Sequence, residues 1–260
     1  MIKKLFLHGF LLLGLSFSLY SQDTLKVTDL VTDRPDQTES SVIVPVGLLQ
    51  IETGYLHESV TSDISNTLYN STLLRYGFTE NLEIRFGVGY LKNVEEPNIG
   101  DAGIITKGLI PLLIGSKLYV AEEKGIWPEV AFCAGFSLPE SGSSKFKTSY
   151  LAPILKILAS HTISPNLSIG YNIGAVWDGE TARATGIYTV SAGMSVYEGF
   201  GIFIENYAFF RKGFFDNRID AGITWLLRKN LQLDLSGGLG LNNKAPNGFI
   251  SFGFSWRVPH

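Results

Sequence analysis

Stretches of about ten residues in which apolar side chains alternate with small or polar ones recur from Leu49 to Val258. This repeat limits the fold more than any other feature of the chain. The clearest case follows Thr79-Glu80-Asn81. Leu82, Ile84, Phe86, Val88 and Tyr90 share one face, while Glu83, Arg85, Gly87 and Gly89 share the other. The same alternation runs through 167–177, where Ser168, Gly170, Asn172 and Gly174 oppose the apolar set, and through 218–227, 231–241 and 250–258. A single such strand suits a β-sandwich equally well. Repetition decides, together with length: a tilted strand needs about 9–11 residues to cross a bilayer, whereas globular strands average roughly 5–6.

The connections alternate too. Short polar turns stand at 79–81, 122–125, 164–166, 197–199 and 228–230, and longer loops at 57–66, 93–101, 139–147, 178–185, 211–217 and 242–247. Short turns on one side and long loops on the other characterise outer-membrane barrels. Five turns and six loops separate twelve strands, so both barrel ends fall on the short-turn, periplasmic side. The expected fold is all-β: a transmembrane antiparallel up-and-down β-barrel of about twelve strands. Gly100–Ala121 is too long for one crossing and is interrupted by Pro111, so the crossing is assigned to 112–121, with fourteen strands as the alternative. Tyr55, Tyr90 and Trp177 fall at loop-side ends and Tyr76, Trp225 and Trp256 at turn-side ends, giving two interfacial girdles. Low charge (17%), 12% aromatics and 28 glycines fit a lipid-facing sheet.

Residues 1–21 read as a secretory signal, with Lys3 and Lys4 before an apolar run from Leu5 to Leu15 and Ser21 before the expected cut. Without those two lysines the chain carries net charge −5, which argues against nucleic acid as a partner. Cys133 is the single cysteine, so no internal disulfide is expected, and no metal or cofactor motif appears. Residues 22–47 are read as a polar lead-in or plug, and 48–260 as the barrel.

Strand parity places twelve charged residues on the inner face. The acids are Glu52, Glu83, Glu129, Glu205, Asp220 and Asp234; the bases are Arg75, Arg85, Lys117, Lys156, Arg218 and Arg257. Ladders of ion pairs filling a narrow bore and a polar path for a permeant both explain them. The stretch Thr32-Asp33-Arg34-Pro35-Asp36-Gln37-Thr38-Glu39-Ser40 stands apart because it does not alternate. Two placements are open: an ordered periplasmic lead-in, and a plug or gate whose Asp33, Asp36 and Glu39 meet bases such as Arg75, Arg85 and Arg257 while Arg34 meets an acid.

The same stretch, followed by Gln50-Ile51-Glu52-Thr53-Gly54-Tyr55, Leu74-Arg75-Tyr76-Gly77, Asn81-Leu82-Glu83-Ile84-Arg85, Trp177-Asp178-Gly179-Glu180 and Gln232-Leu233-Asp234-Leu235-Ser236-Gly237-Gly238, resembles an outer-membrane transporter family of Bacteroidetes. That family is grouped with proteins labelled as a phenol-degradation meta-pathway family. The resemblance implies a transporter-type barrel in the outer membrane and brings no catalytic residues. The expected function is passive passage of small molecules. The expected partners are outer-membrane lipid, the barrel assembly machinery and an unidentified small permeant. A lipid-modifying enzyme is the main rival, but His57 with Ser59, His161 beside Ser160, and terminal His260 are its only material for a nucleophilic site. A closed structural or surface-interaction barrel is the third reading.

Overall fold

The alternating segments form strands because only a closed sheet satisfies every backbone group in lipid while turning one side-chain row outward. The computed structural model describes residues 29–96 and 103–259. The expected leader over 1–21, and 22–28 of the polar segment, lie outside them. The strands are β1 (Leu49–Ser59), β2 (Ile64–Thr79), β3 (Leu82–Glu95), β4 (Ile104–Leu109), β5 (Leu113–Ala121), β6 (Glu129–Ser137), β7 (Ala152–Ser164), β8 (Leu167–Val176), β9 (Thr185–Tyr197), β10 (Phe200–Arg211), β11 (Phe214–Arg228), β12 (Leu231–Gly240) and β13 (Gly248–Arg257).

Each strand pairs antiparallel with its neighbour, and β1 closes the ring on β13 from Gln50↔Arg257 to Ser59↔Gly248. β4 and β5 are two halves of one crossing. β5 pairs with the lower part of β3 (Leu82–Gly87) and β4 with its upper part (Tyr90–Glu95). Pro111 lies in the gap, where its missing N–H cannot enter a ladder. The barrel therefore has twelve strand positions, and the fourteen-strand alternative is set aside. Above Pro111 the free edge of β4 is covered by the loop after β6. The Ser143 N–H donates to the Leu109 carbonyl, the Ser143 hydroxyl accepts the Leu109 N–H, and the Ser141 hydroxyl accepts the Leu112 N–H.

Two of the expected long loops are short. β1 and β2 extend until only 60–63 join them, and β10 turns into β11 through Lys212 and Gly213 alone. Gly213 has φ of 77°, a conformation other residues adopt poorly. The turn expected at 122–125 runs on to Pro128.

Side chains sort as the alternation requires. On β3, Ile84 and Phe86 are exposed toward lipid while Glu83 and Arg85 are buried toward the bore. Tyr76, Tyr90, Trp225 and Trp256 also face outward. Tyr55 stacks on Phe252, and Phe200 on Trp225, each with centroids 5.0 Å apart. The interior is not an apolar core: it is filled largely by polar and charged groups, with a small cluster of Ala131, Cys133 and Leu158 among them.

Much of that filling comes from the N-terminal segment, which runs inside the barrel rather than leading in from below. It is pinned at the periplasmic rim at both ends. The Leu30 N–H donates to the Lys229 carbonyl in the β11–β12 turn, and Val46–Gly47 pair with Gly77 at the end of β2. Between these points the chain rises into the bore and returns.

Candidate functional site: the plugged bore

The plug is held by side chains that strand parity aims inward. Its hydrogen bonds reach β1–β3, β5–β10, β12 and β13. The densest cluster surrounds Asp33. Its carboxylate receives Arg85 Nη2 at 2.8 Å and Lys117 Nζ at 2.9 Å, with Arg75 Nη1 at 3.5 Å. Arg75 also donates to Glu52 at 2.7 Å, to Glu83 at 2.8 Å and to the Val42 carbonyl. Lys117 reaches the Ser40 carbonyl at 2.7 Å. Arg75, Lys117, Glu52 and Glu83 are almost completely buried. Charges so enclosed persist only when paired and hydrogen-bonded, and each here has several partners.

Other attachments surround this cluster. Arg34 grips Asp234 through Nε and Nη2 (3.1 and 2.7 Å) and reaches Ser251. Glycines make room for it: a Cβ at Gly54 or Gly253 would lie 2.4–2.7 Å from the guanidinium. Glu39 pairs with Arg85 and with Lys156, the latter at 2.7 Å. The Gln37 N–H and Thr38 hydroxyl donate to Glu205, and the Glu39 N–H to Asn172. Ser41 donates to Glu129, and the Val44 N–H to Glu83.

All twelve charged residues assigned to the inner face point into the bore. They fall into two tiers. Arg218 sits higher, gripped by Asp216 (2.8 and 2.6 Å) and by Glu58 at 2.8 Å, with its guanidinium over Tyr207 and Phe209. Arg257 donates to Gln50 at 3.3 Å. Asp36 precedes Gln37, whose N–H meets Glu205, and Glu205 lies opposite Asp220, so this plug acid is brought toward two wall acids.

Neutral plug contacts were not singled out from the sequence. Gln50 donates to the Val31 carbonyl and to Glu52, Gln232 to Thr32, and Asn172 to the Glu39 carbonyl. Parity had already put all three on the inner face; selecting inner residues by charge passed over them.

Above the plug tip the bore opens into a cavity of about 480 Å³. Its floor is the plug, from Asp33 to Glu39, and its walls include Val88, Leu113, Ile154, Val176, Ile187 and Phe209. The two histidines of the enzyme reading lie elsewhere. His57 Nδ1 is bonded to Thr67 at 2.9 Å, and His161 Nδ1 lies 3.5 Å from Glu123. Among the described residues no His/Cys/Asp/Glu group has metal-site geometry.

Comparison with known structures agrees with this architecture. An outer membrane channel from Pseudomonas putida F1 superposes with a TM-score of 0.63 at 13% identity, over 83% of this chain and 97% of that one. The KdgM porin gives a TM-score of 0.50 at 13% identity, over 80% and 99%. The NanC porin gives 0.50 at 9% identity, over 81% and 100%. At these identities the likeness is one of fold. No curated protein matches the sequence. The family model described as "Putative MetA-pathway of phenol degradation" matches residues 32–258, which takes in the plug as well as the barrel, and the chain belongs to that family.

Proposed function

We propose that this protein is a passive outer-membrane channel for small molecules whose closed state is the plugged one. The observation that carries this reading is the plug itself. A segment tethered only at the periplasmic rim crosses the bore beneath an open cavity, and it is held by ion pairs and hydrogen bonds that can be exchanged for water. A barrel meant only to stand closed needs no cavity above a separable segment; wall side chains alone would fill it. The permeant descends from the cavity once the plug shifts, and bore charges then select it. We read transport rather than catalysis as its activity because His57, bonded to Thr67, and His161, near Glu123, are not among the residues that line the cavity. Its source among Bacteroidetes, its contacts with outer-membrane lipid and its insertion by the barrel assembly machinery belong to the same proposal.

The test is conductance in planar bilayers. The full-length mature chain is expected to conduct rarely, and a chain lacking residues 23–40 to conduct steadily while keeping the heat-dependent gel mobility of a folded barrel. A folded deletion variant that passes neither ions nor small solutes would establish the closed structural barrel instead.

A further inference from the structure

Where the plug tip touches the wall, three carboxyl groups meet without a base. Glu205 on β10 and Asp220 on β11 are direct cross-strand partners. The Gln37 N–H donates to Glu205 at 2.7 Å and the Thr38 hydroxyl to its other oxygen. These bonds bring Asp36, which directly precedes Gln37, to the pair, and Ser191 is the cross-strand neighbour of Glu205 on β9. Both carboxylate oxygens of Asp220 are buried without a hydrogen-bond partner.

Among the described residues the nearby bases are taken, Lys156 by Glu39. On the plug, Arg34 is committed to Asp234 of β12, and Asp33 to Arg85 and Lys117. From β8, Asn172 bonds the Glu39 backbone. Thr189 and Ser191 are the neutral neighbours on β9, Tyr207 stands above Glu205 on β10, and Gly238 of β12 lies opposite Asp220. Arg218, higher on β11, is taken by Asp216 and Glu58. A buried carboxylate with neither donor nor cation is costly as an anion, and adjoining carboxyl groups avoid mutual repulsion by holding a proton between them.

We propose that Asp36, Glu205 and Asp220 form a proton-operated latch on the plug. With a shared proton, the tip is hydrogen-bonded to the wall. When that proton passes to water as pH rises, three adjoining anions repel. Asp36, the member carried on a tethered segment rather than on a strand, is driven away, taking Gln37 and Thr38 off Glu205. The latch rests on the channel reading only for its consequence, opening at higher pH; its motion is measurable without conduction.

Two readouts test it on the full-length mature protein. In bilayers, the open fraction is expected to rise several-fold from pH 6 to pH 9. Asp220→Asn leaves an amide that can donate to Glu205 and removes one charge, so its open fraction stays low and flat. Hydrogen exchange of the Gln37 and Glu39 amides, corrected for intrinsic pH dependence, is expected to speed up over the same range in the natural chain and not in the variant. Asp36→Asn, on the plug and outside the barrel wall, gives the same flat profile and serves if Asp220→Asn does not fold. Protection that is independent of pH in the natural chain, or equally pH-dependent in the variants, overturns the latch. Silence in bilayers even after deletion of 23–40, with pH-dependent exchange intact, overturns the channel and leaves the latch standing.

Discussion

Asp33 is the residue on which the plug depends most. One carboxylate meets Arg85 and Lys117 at hydrogen-bond distance and Arg75 at 3.5 Å, all deep in the bore. Removing one member of a buried ion cluster costs roughly 3 kcal/mol or more, because the remaining charges stay enclosed. Asp33→Asn is therefore expected to lower barrel stability by about that amount, read as a shift in the urea midpoint of refolding into lipid vesicles. Asp234→Asn removes only the partner of the less enclosed Arg34 and is expected to cost roughly 1.5 kcal/mol, the scale of a hydrogen bond to a charged group. An equal effect of the two substitutions would show that Asp33 is not the hub. How much of this was legible follows from what sequence encodes at this scale. Period-two parity is local, so it assigned Glu52, Arg75, Glu83, Arg85 and Lys117 to the bore without knowing the register. Which acid meets which base depends on where a non-repeating segment lies in three dimensions. Asp36, next to the Gln37 N–H that meets Glu205, is such a case.

At the scale of elements, the break at Pro111 has the clearest consequence. It splits one crossing into β4 and β5 and leaves β4 with a single strand partner, β3. Unpaired strand edges invite further pairing, and proteins cover them. Here Ser141 and Ser143 supply the cover through Leu109 and Leu112. Ser143→Ala removes a bond worth about 1 kcal/mol, so the Leu109 amide is expected to exchange up to about tenfold faster while amides in β8 and β9 are unchanged. Unaltered exchange at Leu109 would mean that the loop only lies against the edge. The count of about twelve strands and the crossing near 112–121 were readable from length and Pro111, whereas the pairing of 104–109 with the upper part of β3 was not. Nor was the tight turn at Lys212–Gly213: Arg211, Lys212, Asp216 and Asn217 look like loop residues, yet β10 and β11 pair up to Arg211↔Phe214.

For the whole molecule, the barrel's inner wall and its plug form one polar network, in contrast to the apolar interior of a soluble domain. The wall cannot be described as a pipe with an insert, since Arg85 and Lys117 lose Asp33, Glu39 and the Ser40 carbonyl once residues 32–41 are gone, and Arg75 keeps only its wall partners Glu52 and Glu83. The plug-deleted chain is accordingly expected to be folded but softer, with a lower urea midpoint than the full chain. Equal midpoints would separate closure of the bore from stability. The seam between β1 and β13 joins the two ends of the chain across 207 residues, as at Gln50 and Arg257, and contacts that distant form late. The segment that ends up enclosed is tethered directly to the first strand and touches both flanks of that seam through Glu52 and Ser251. One short segment thus fastens the seam from the inside, so the closure of the ring and the closure of the bore depend on the same residues.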